Sequence, residues 1–195
     1  MINDHLIPHG KLFEKHKIKS MIELGLGEGT KFFLDHLREV VSVELYTKDL
    51  QLAEKLRIPT DEWMIKFGKE FASYKNWEII PYECKKDIIE AERDVTGHGK
   101  VERGDDPTTK GYLKEIKKLI DNLFKNKKYD YAFVDPGIHL RGDIVNALFG
   151  KVDIIGAHDT NTRPIYGYNR IVVPANYYVE ENKNGEGITF WIKNE

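Results

Sequence analysis

Four short segments of the chain carry residues able to do chemistry. The first is Glu23-Leu24-Gly25-Leu26-Gly27-Glu28-Gly29. Glycines at alternate positions, after an apolar run and before a helical-period segment, let a backbone turn sharply and approach a ligand closely. The spacing departs from the dinucleotide fingerprint G-x-G-x-x-G, because the third glycine comes one position early and Thr30 stands where Gly or Ala is expected. The phosphate-cradling G-x-x-x-x-G-K-[ST] is also absent. The second segment is VVSVEL, which ends near Glu44. A carboxylate at the tip of a second strand accepts bonds from both hydroxyls of a ribose, which points to an adenosine-containing cofactor, nicotinamide or other.

The remaining two segments bear titratable groups. Phe133-Val134-Asp135-Pro136-Gly137-Ile138-His139 places Asp135 at the tip of a fourth strand, with His139 close behind. Ile154-Ile155-Gly156-Ala157-His158-Asp159-Thr160-Asn161 places His158 and Asp159 at the tip of a fifth. Adjacent parallel strands bring such tips to one edge of a sheet. Two carboxylates with imidazole nearby match the donor set of a hard divalent cation. His158 or His139 also suits general-base work.

These residues need a frame, and the hydrophobic pattern supplies one. Strand-like runs at Ser20–Leu24, Val40–Leu45, Trp77–Pro81, Tyr129–Asp135 and Val152–Ala157 alternate with helical-period segments at 31–38, 48–56, 61–74, 111–126 and 140–149. In the segment 111–126, Leu113, Ile116, Ile120 and Leu123 share one helical face. Such alternation predicts an α/β fold with a mostly parallel sheet covered by helices on both faces. Tyr177–Glu180, the Gly/Asn-rich ENKNGEG and Ile188–Lys193 read as a closing β-hairpin. Asp94–Gly111, with four glycines, a proline and no apolar period, is expected to be a flexible insertion loop in an otherwise single domain spanning 1–195.

Composition narrows the class. Lys+Arg 30 against Asp+Glu 32 leaves a net charge of −2, which argues against a protein whose main task is gripping nucleic acid. With 41 % hydrophobic residues the chain can build a real core. No apolar run approaches the roughly 18–20 residues a membrane span needs, and the N-terminal residues do not read as a secretory signal. One cysteine, Cys84, precludes an internal disulfide and fits a reducing, cytoplasmic setting. The isolated histidines His5, His9, His16, His36 and His98 are expected on the surface or in loops. The lysine-rich helix 110–128 reads as a solvated face.

The acidic-x-Gly-x-Gly-x-Gly loop (Glu23, Gly25, Gly27, Gly29) together with Glu44 resembles the class I S-adenosylmethionine-dependent methyltransferase family. The seven-strand layout with its terminal antiparallel hairpin is that family's Rossmann-like layout. The resemblance implies S-adenosylmethionine as cofactor, with the glycine loop under its methionine moiety, Glu44 on the ribose and Asp135 beside them. It also implies adenine contacts from the segment after the third strand, here Tyr82-Glu83-Cys84-Lys85-Lys86-Asp87.

The strand-tip pair is similar to that of small O-methyltransferases. In their catechol and caffeoyl-coenzyme A branch these positions hold Mg²⁺. The equivalent ligands here are Asp135, Asp159 and, in place of that branch's Asn, Thr160. A second branch, which includes sugar and antibiotic O-methyltransferases, carries the His-Asp-Thr seen at His158-Asp159-Thr160, although the interval from Asp135 to His139 is one residue longer here. The fourth-strand motif also lacks the catechol branch's Lys. The resemblance therefore implies methyl transfer to a hydroxyl of a small molecule or saccharide, with Asp135, His139, His158 and Asp159 catalytic, histidine assistance and an optional divalent cation. Tyr166–Arg170 falls where family members close over the acceptor. Nucleic-acid or protein methylation is an alternative, but Asp135-Pro136-Gly137-Ile138 lacks the second Pro and aromatic of base N-methyltransferases. A non-catalytic S-adenosylmethionine-binding protein is the other.

Overall fold

The computed structural model describes residues 6–50, 53, 59–83, 107–137, 140–161 and 166–194, with the side chains of 107–113 excepted. The elements run α1 (Leu6–His16), β1 (Ser20–Leu24), α2 (Thr30–His36), β2 (Glu39–Tyr46), α3 (Asp61–Glu70), β3 (Trp77–Glu83), α4 (Pro107–Phe124), β4 (Tyr131–Val134), α5 (Arg141–Leu148), β5 (Ile154–His158), a 3-10 turn (Tyr168–Arg170), β6 (Tyr177–Asn182) and β7 (Ile188–Lys193). The strands form one sheet in the order β3-β2-β1-β4-β5-β7-β6. The run β3-β2-β1-β4-β5 is parallel. β7 runs antiparallel to both β5 and β6. This is the seven-stranded, mostly parallel sheet with a C-terminal antiparallel hairpin that the pattern predicts. Among the described residues, no helix is long and apolar enough to cross a membrane.

The strands are apolar runs because helices cover both faces. All four residues of β4 and the last four of β1 are buried. Side chains alternate between faces. Ile22, Leu24, Val41, Val43 and Ala132 pack with Ile116, Ile120, Ile144 and Val145 from α4 and α5. Met21, Val40, Tyr131, Phe133 and Ile154 pack on the other face with Leu12, Phe13, Phe33, Leu34 and Phe67 from α1, α2 and α3. The same alternation sends Glu23, Glu44 and His158 to the α1–α3 face, although they lie on three different strands.

Several boundaries differ from expectation. β3 continues to Glu83 because it pairs with β2 along its whole length, to Tyr46↔Glu83. α4 begins at Pro107, before Gly111. Proline is well suited to a first helical turn, where its missing N–H costs nothing. Residues 107–111 of the expected loop are thus helical, and 94–106 lie outside the described residues. Of the expected helix 48–56, residues 51, 52 and 54–56 also lie outside them.

The N-terminal helix and the place of His9 are not foreseen by the sequence pattern. His9 is fully buried. It takes the apolar position of a helical stripe shared with Leu12 and Phe13. Its Nε2 is hydrogen-bonded to Tyr131 Oη at 2.8 Å. Phe33, Phe133 and Phe190 meet its ring edge-on, with centroids 5.0, 4.7 and 5.5 Å away. A buried imidazole is tolerated here because a hydroxyl partners it and aromatic rings favour edge-to-face packing. The surface reading is corrected for this histidine.

Candidate active site

The glycine loop is locked to the neighbouring strands by its backbone. Gly25 N donates to Val43 O at 2.9 Å, and Asp135 N donates to Leu24 O at 2.8 Å. Gly25 has φ +109°, and a Cβ there would lie 2.3 Å from Asp135 O and 2.7 Å from Pro136 N. Only glycine fits. A Cβ on Gly27, by contrast, would meet nothing within 4 Å. Gly29 precedes α2 as its N-cap.

Two buried carboxylates hold the loop in shape. Glu23 Oε1 accepts from Thr30 Oγ1 at 2.8 Å and from Ser42 Oγ. Thr30 Oγ1 accepts in turn from Gly27 N at 3.1 Å. Glu44 Oε2 accepts from Leu26 N, and the Trp63 indole donates to Leu26 O at 2.7 Å. Burial pushes both carboxyls up to about 8, against the lowering effect of these hydrogen bonds. Glu44 lines a cleft of about 480 Å³ with Gly25, Leu26, Gly27, Pro59, Trp63 and Asp135. A second cleft of about 250 Å³ shares Gly25, Gly27 and Asp135 with it and extends past Glu28, Gly29 and Thr30 to His158. The two clefts lie at the C-terminal ends of the parallel strands, where ligands bind in open α/β sheets. A larger hollow of about 560 Å³, by Lys17, Asp130 and Asp153, lies at the opposite edge.

At the far end of the second cleft lies a charge cluster. Arg141 Nη1 is 2.7 Å from Asp135 Oδ1 and 2.9 Å from Asp159 Oδ2. His158 Nδ1 is 3.3 Å from Asp135 Oδ2 and 3.5 Å from Asp159 Oδ1. Each of the four carboxylate oxygens therefore faces a nitrogen. Arg141 is buried, donates through Nε to Pro136 O at 2.8 Å, and has the Tyr166 ring centroid 3.9 Å from its guanidinium carbon. Burial alone would lower its pKa, but the charges of Asp135 and Asp159 outweigh it, and Arg141 stays a cation. Burial likewise opposes the imidazolium of His158, yet the hydrogen bond to Asp135 and the charges of Asp135 and Asp159 prevail and raise its pKa. Asp159 adopts φ +60°, a left-handed conformation that Asp tolerates better than most residues. Tyr168 Oη donates to His158 O at 2.5 Å, and Arg170 pairs with Asp143 on α5.

Of the site residues expected from the sequence, Glu23, Gly25, Gly27, Gly29, Asp135 and His158 all line the second cleft, and Glu44 lines the first. Asp159 belongs to the charge cluster but is not among the cleft-lining residues. Thr160 is turned to β7, its Oγ1 accepting from Thr189 Oγ1 at 2.9 Å. His139 and the segment Cys84–Asp87 lie outside the described residues. Sequence reasoning misses Arg141 and Trp63. Arg141 does leave a signal: a cation in the first turn of a helix opposes the macrodipole and needs an anionic partner.

The ligand atoms of Asp135, His158 and Asp159 lie within 4.8 Å of one another. That is a divalent-cation donor set. As arranged here it does not fit a divalent metal ion, because the guanidinium already contacts both carboxylates and the imidazole faces their other oxygens.

No protein-family model matches the sequence, and no curated protein matches it by sequence. Solved structures do match. One is a protein provisionally named as a caffeoyl-CoA O-methyltransferase from Staphylococcus aureus, with TM-score 0.59 and 12 % identity over 97 % of this chain and 83 % of that one. A methyltransferase from Geobacter sulfurreducens gives TM-score 0.55 and 10 % identity over 98 % and 79 %. The methyltransferase PaMTH1 from Podospora anserina, solved with S-adenosylhomocysteine bound, gives 0.53 and 14 % over 95 % and 76 %. At such identities the likeness is one of fold. The chain has the class I methyltransferase fold.

Proposed function

We propose that the protein transfers a methyl group from S-adenosylmethionine to a hydroxyl of a small molecule or saccharide. The observation that carries this is the coupled cleft. It begins at the buried Glu44, passes along the open side of Gly27 and ends on a carboxylate-backed histidine. The residues present fit the cofactor. Glu44 has a carboxylate oxygen to accept from ribose hydroxyls, and the uncovered Gly27 leaves room beside the loop backbone. When bound, the cofactor supplies an electrophilic methyl on a sulfonium, whose carbon–sulfur pair stays with the leaving thioether.

The chain's own task is then positioning and proton removal. Gly25, Gly27 and Glu44 hold the donor against the β1 and β2 tips. His158, on the β5 tip next to β4, takes the acceptor's hydroxyl proton. Asp135 orients the imidazole and stabilises the imidazolium, as a carboxylate does for a histidine base. With Arg141 cationic, the cluster carries −1 before that proton arrives and 0 after it, so uptake discharges the site. The distant structural neighbours that are methyltransferases support the same reading.

Calorimetric titration with S-adenosylhomocysteine and with NAD, followed by a coupled turnover assay across phenols, catechols and sugars, tests this. We expect S-adenosylhomocysteine binding on the order of −8 kcal/mol, the micromolar range, and turnover with a hydroxylated acceptor. Binding of NAD without S-adenosylhomocysteine would refute it.

A further inference from the structure

We infer that the Arg141 guanidinium is the resident cation of the strand-tip site, and that the chain excludes a divalent ion there and handles its acceptor as a neutral hydroxyl. The exclusion rests on geometry alone. Its consequence for the acceptor rests on the methyl-transfer reading.

The first support is stoichiometric. A divalent ion between Asp135 and Asp159 would need oxygens that are already engaged, at 2.7 and 2.9 Å by Arg141 and at 3.3 and 3.5 Å by His158. The second is that the guanidinium cannot easily step aside. Its Nε is bound to Pro136 O, its Nη1 also reaches His158 O at 3.3 Å, and the Tyr166 ring packs on it. Its Cα sits at the start of α5, a rigid element. Guanidinium is also weakly hydrated and planar, the cation best suited to a buried place between carboxylates. Thr160, the remaining expected metal ligand, is bonded to Thr189.

Charge sets the consequence. A doubly charged ion against two carboxylates gives a neutral site, which can hold an acceptor as its oxyanion. One guanidinium against the same two carboxylates leaves −1, which repels an oxyanion. It favours instead a neutral hydroxyl that hands its proton to His158. Such an acceptor needs no second oxygen to complete a chelate, so isolated hydroxyls qualify as well as adjacent pairs.

The test is an Mn²⁺ titration followed by electron paramagnetic resonance, on wild type, Asp159→Asn, Arg141→Gln, Arg141→Lys and the double variant Arg141→Gln/Asp159→Asn. S-adenosylhomocysteine thermal shifts are recorded on the same samples. Wild type and Arg141→Lys should leave the Mn²⁺ signal free. Arg141→Gln should take up Mn²⁺ stoichiometrically, and the double variant should lose that uptake. Stoichiometric Mn²⁺ uptake by wild type that Asp159→Asn abolishes overturns the inference. So does a folded Arg141→Gln that binds no more Mn²⁺ than wild type. Should Arg141→Gln not fold, the wild-type titration decides: no uptake at millimolar Mn²⁺ upholds the assignment and stoichiometric uptake overturns it. If the Mn²⁺ pattern holds while S-adenosylhomocysteine gives no shift, Arg141 keeps its role and the methyl-transfer reading falls.

Discussion

A Cβ on Gly25 would lie 2.3 Å from the carbonyl oxygen of Asp135, so the glycine loop and the β4 tip touch backbone to backbone. Gly25→Ala must strain a positive φ and push β1 and β4 apart. It should destabilise the fold by about 3 kcal/mol or more in urea denaturation. Gly27→Ala adds a methyl to open space. It should change stability by less than about 0.5 kcal/mol and weaken S-adenosylhomocysteine binding about tenfold, roughly 1.4 kcal/mol. Equal effects from the two substitutions would contradict this division of labour.

Glu23 couples the loop to pH. Its carboxyl is pushed up to about 8 in the folded protein, chiefly by burial, against the ordinary value of about 4.3 in the unfolded chain. Between those values the folded state holds a proton that the unfolded state has released. Its contribution is therefore full at low pH and is lost as pH rises towards 8, by up to about 1.4 kcal/mol per pH unit. Glu23→Gln keeps the acceptor for Thr30 and Ser42 but cannot titrate. Denaturation at pH 5, 6.5 and 8 should show wild-type stability falling relative to this variant. Parallel curves would mean that Glu23 is ionised throughout.

With Glu44 as the proposed ribose acceptor, ligand affinity should depend on pH in the opposite sense. Without ligand its carboxyl sits near 8, again mainly through burial. Ribose hydroxyls donate to the ionised form, so binding releases a proton and affinity should climb with pH up to about 8. Calorimetry in buffers of different ionisation enthalpy reads that proton directly. In Glu44→Gln the release should vanish and binding should weaken by about 1–3 kcal/mol.

With His158 as the proposed base, turnover should depend on pH. Its raised pKa predicts kcat/KM rising with pH through a midpoint above the ordinary 6.5. Asp135→Asn removes the hydrogen bond and charge that raise the pKa, and the midpoint should move down. His158→Gln should abolish the limb and cost about 10²- to 10⁴-fold in rate. A limb that survives in His158→Gln assigns the base to another residue.

What is legible in the sequence is what local pattern sets. β7 is readable at its observed bounds because ITFWIK follows a glycine turn, and the glycine loop stands out because its spacing is contiguous. What escapes depends on contacts across the sheet. His9 sits at an apolar position of α1, and its burial is explained by Tyr131, 122 residues away. Arg141 lies five residues beyond Pro136 and 18 before Asp159. Only the adjacency of β4 and β5 turns these into one cluster. The expectation of a cation between the two carboxylates is sound electrostatics, since like charges at that distance need one. Periodicity does not tell a side-chain cation from a bound ion.

The place of β7 has a consequence for biosynthesis. β7 follows β6 in the chain but inserts between β5 and β6. A nascent chain that has just completed β5 must be extended through residues 159–187 before β7 begins, about 1.5–6 s at about 5–20 residues per second. Until β7 docks, β5 has an open edge, the kind of surface that recruits strands from other chains. His158, whose register partner is Ile188, acquires that neighbour only when β7 docks. A chain whose residues 188–193 have not yet docked therefore carries that edge uncovered, with one flank of the charge cluster open.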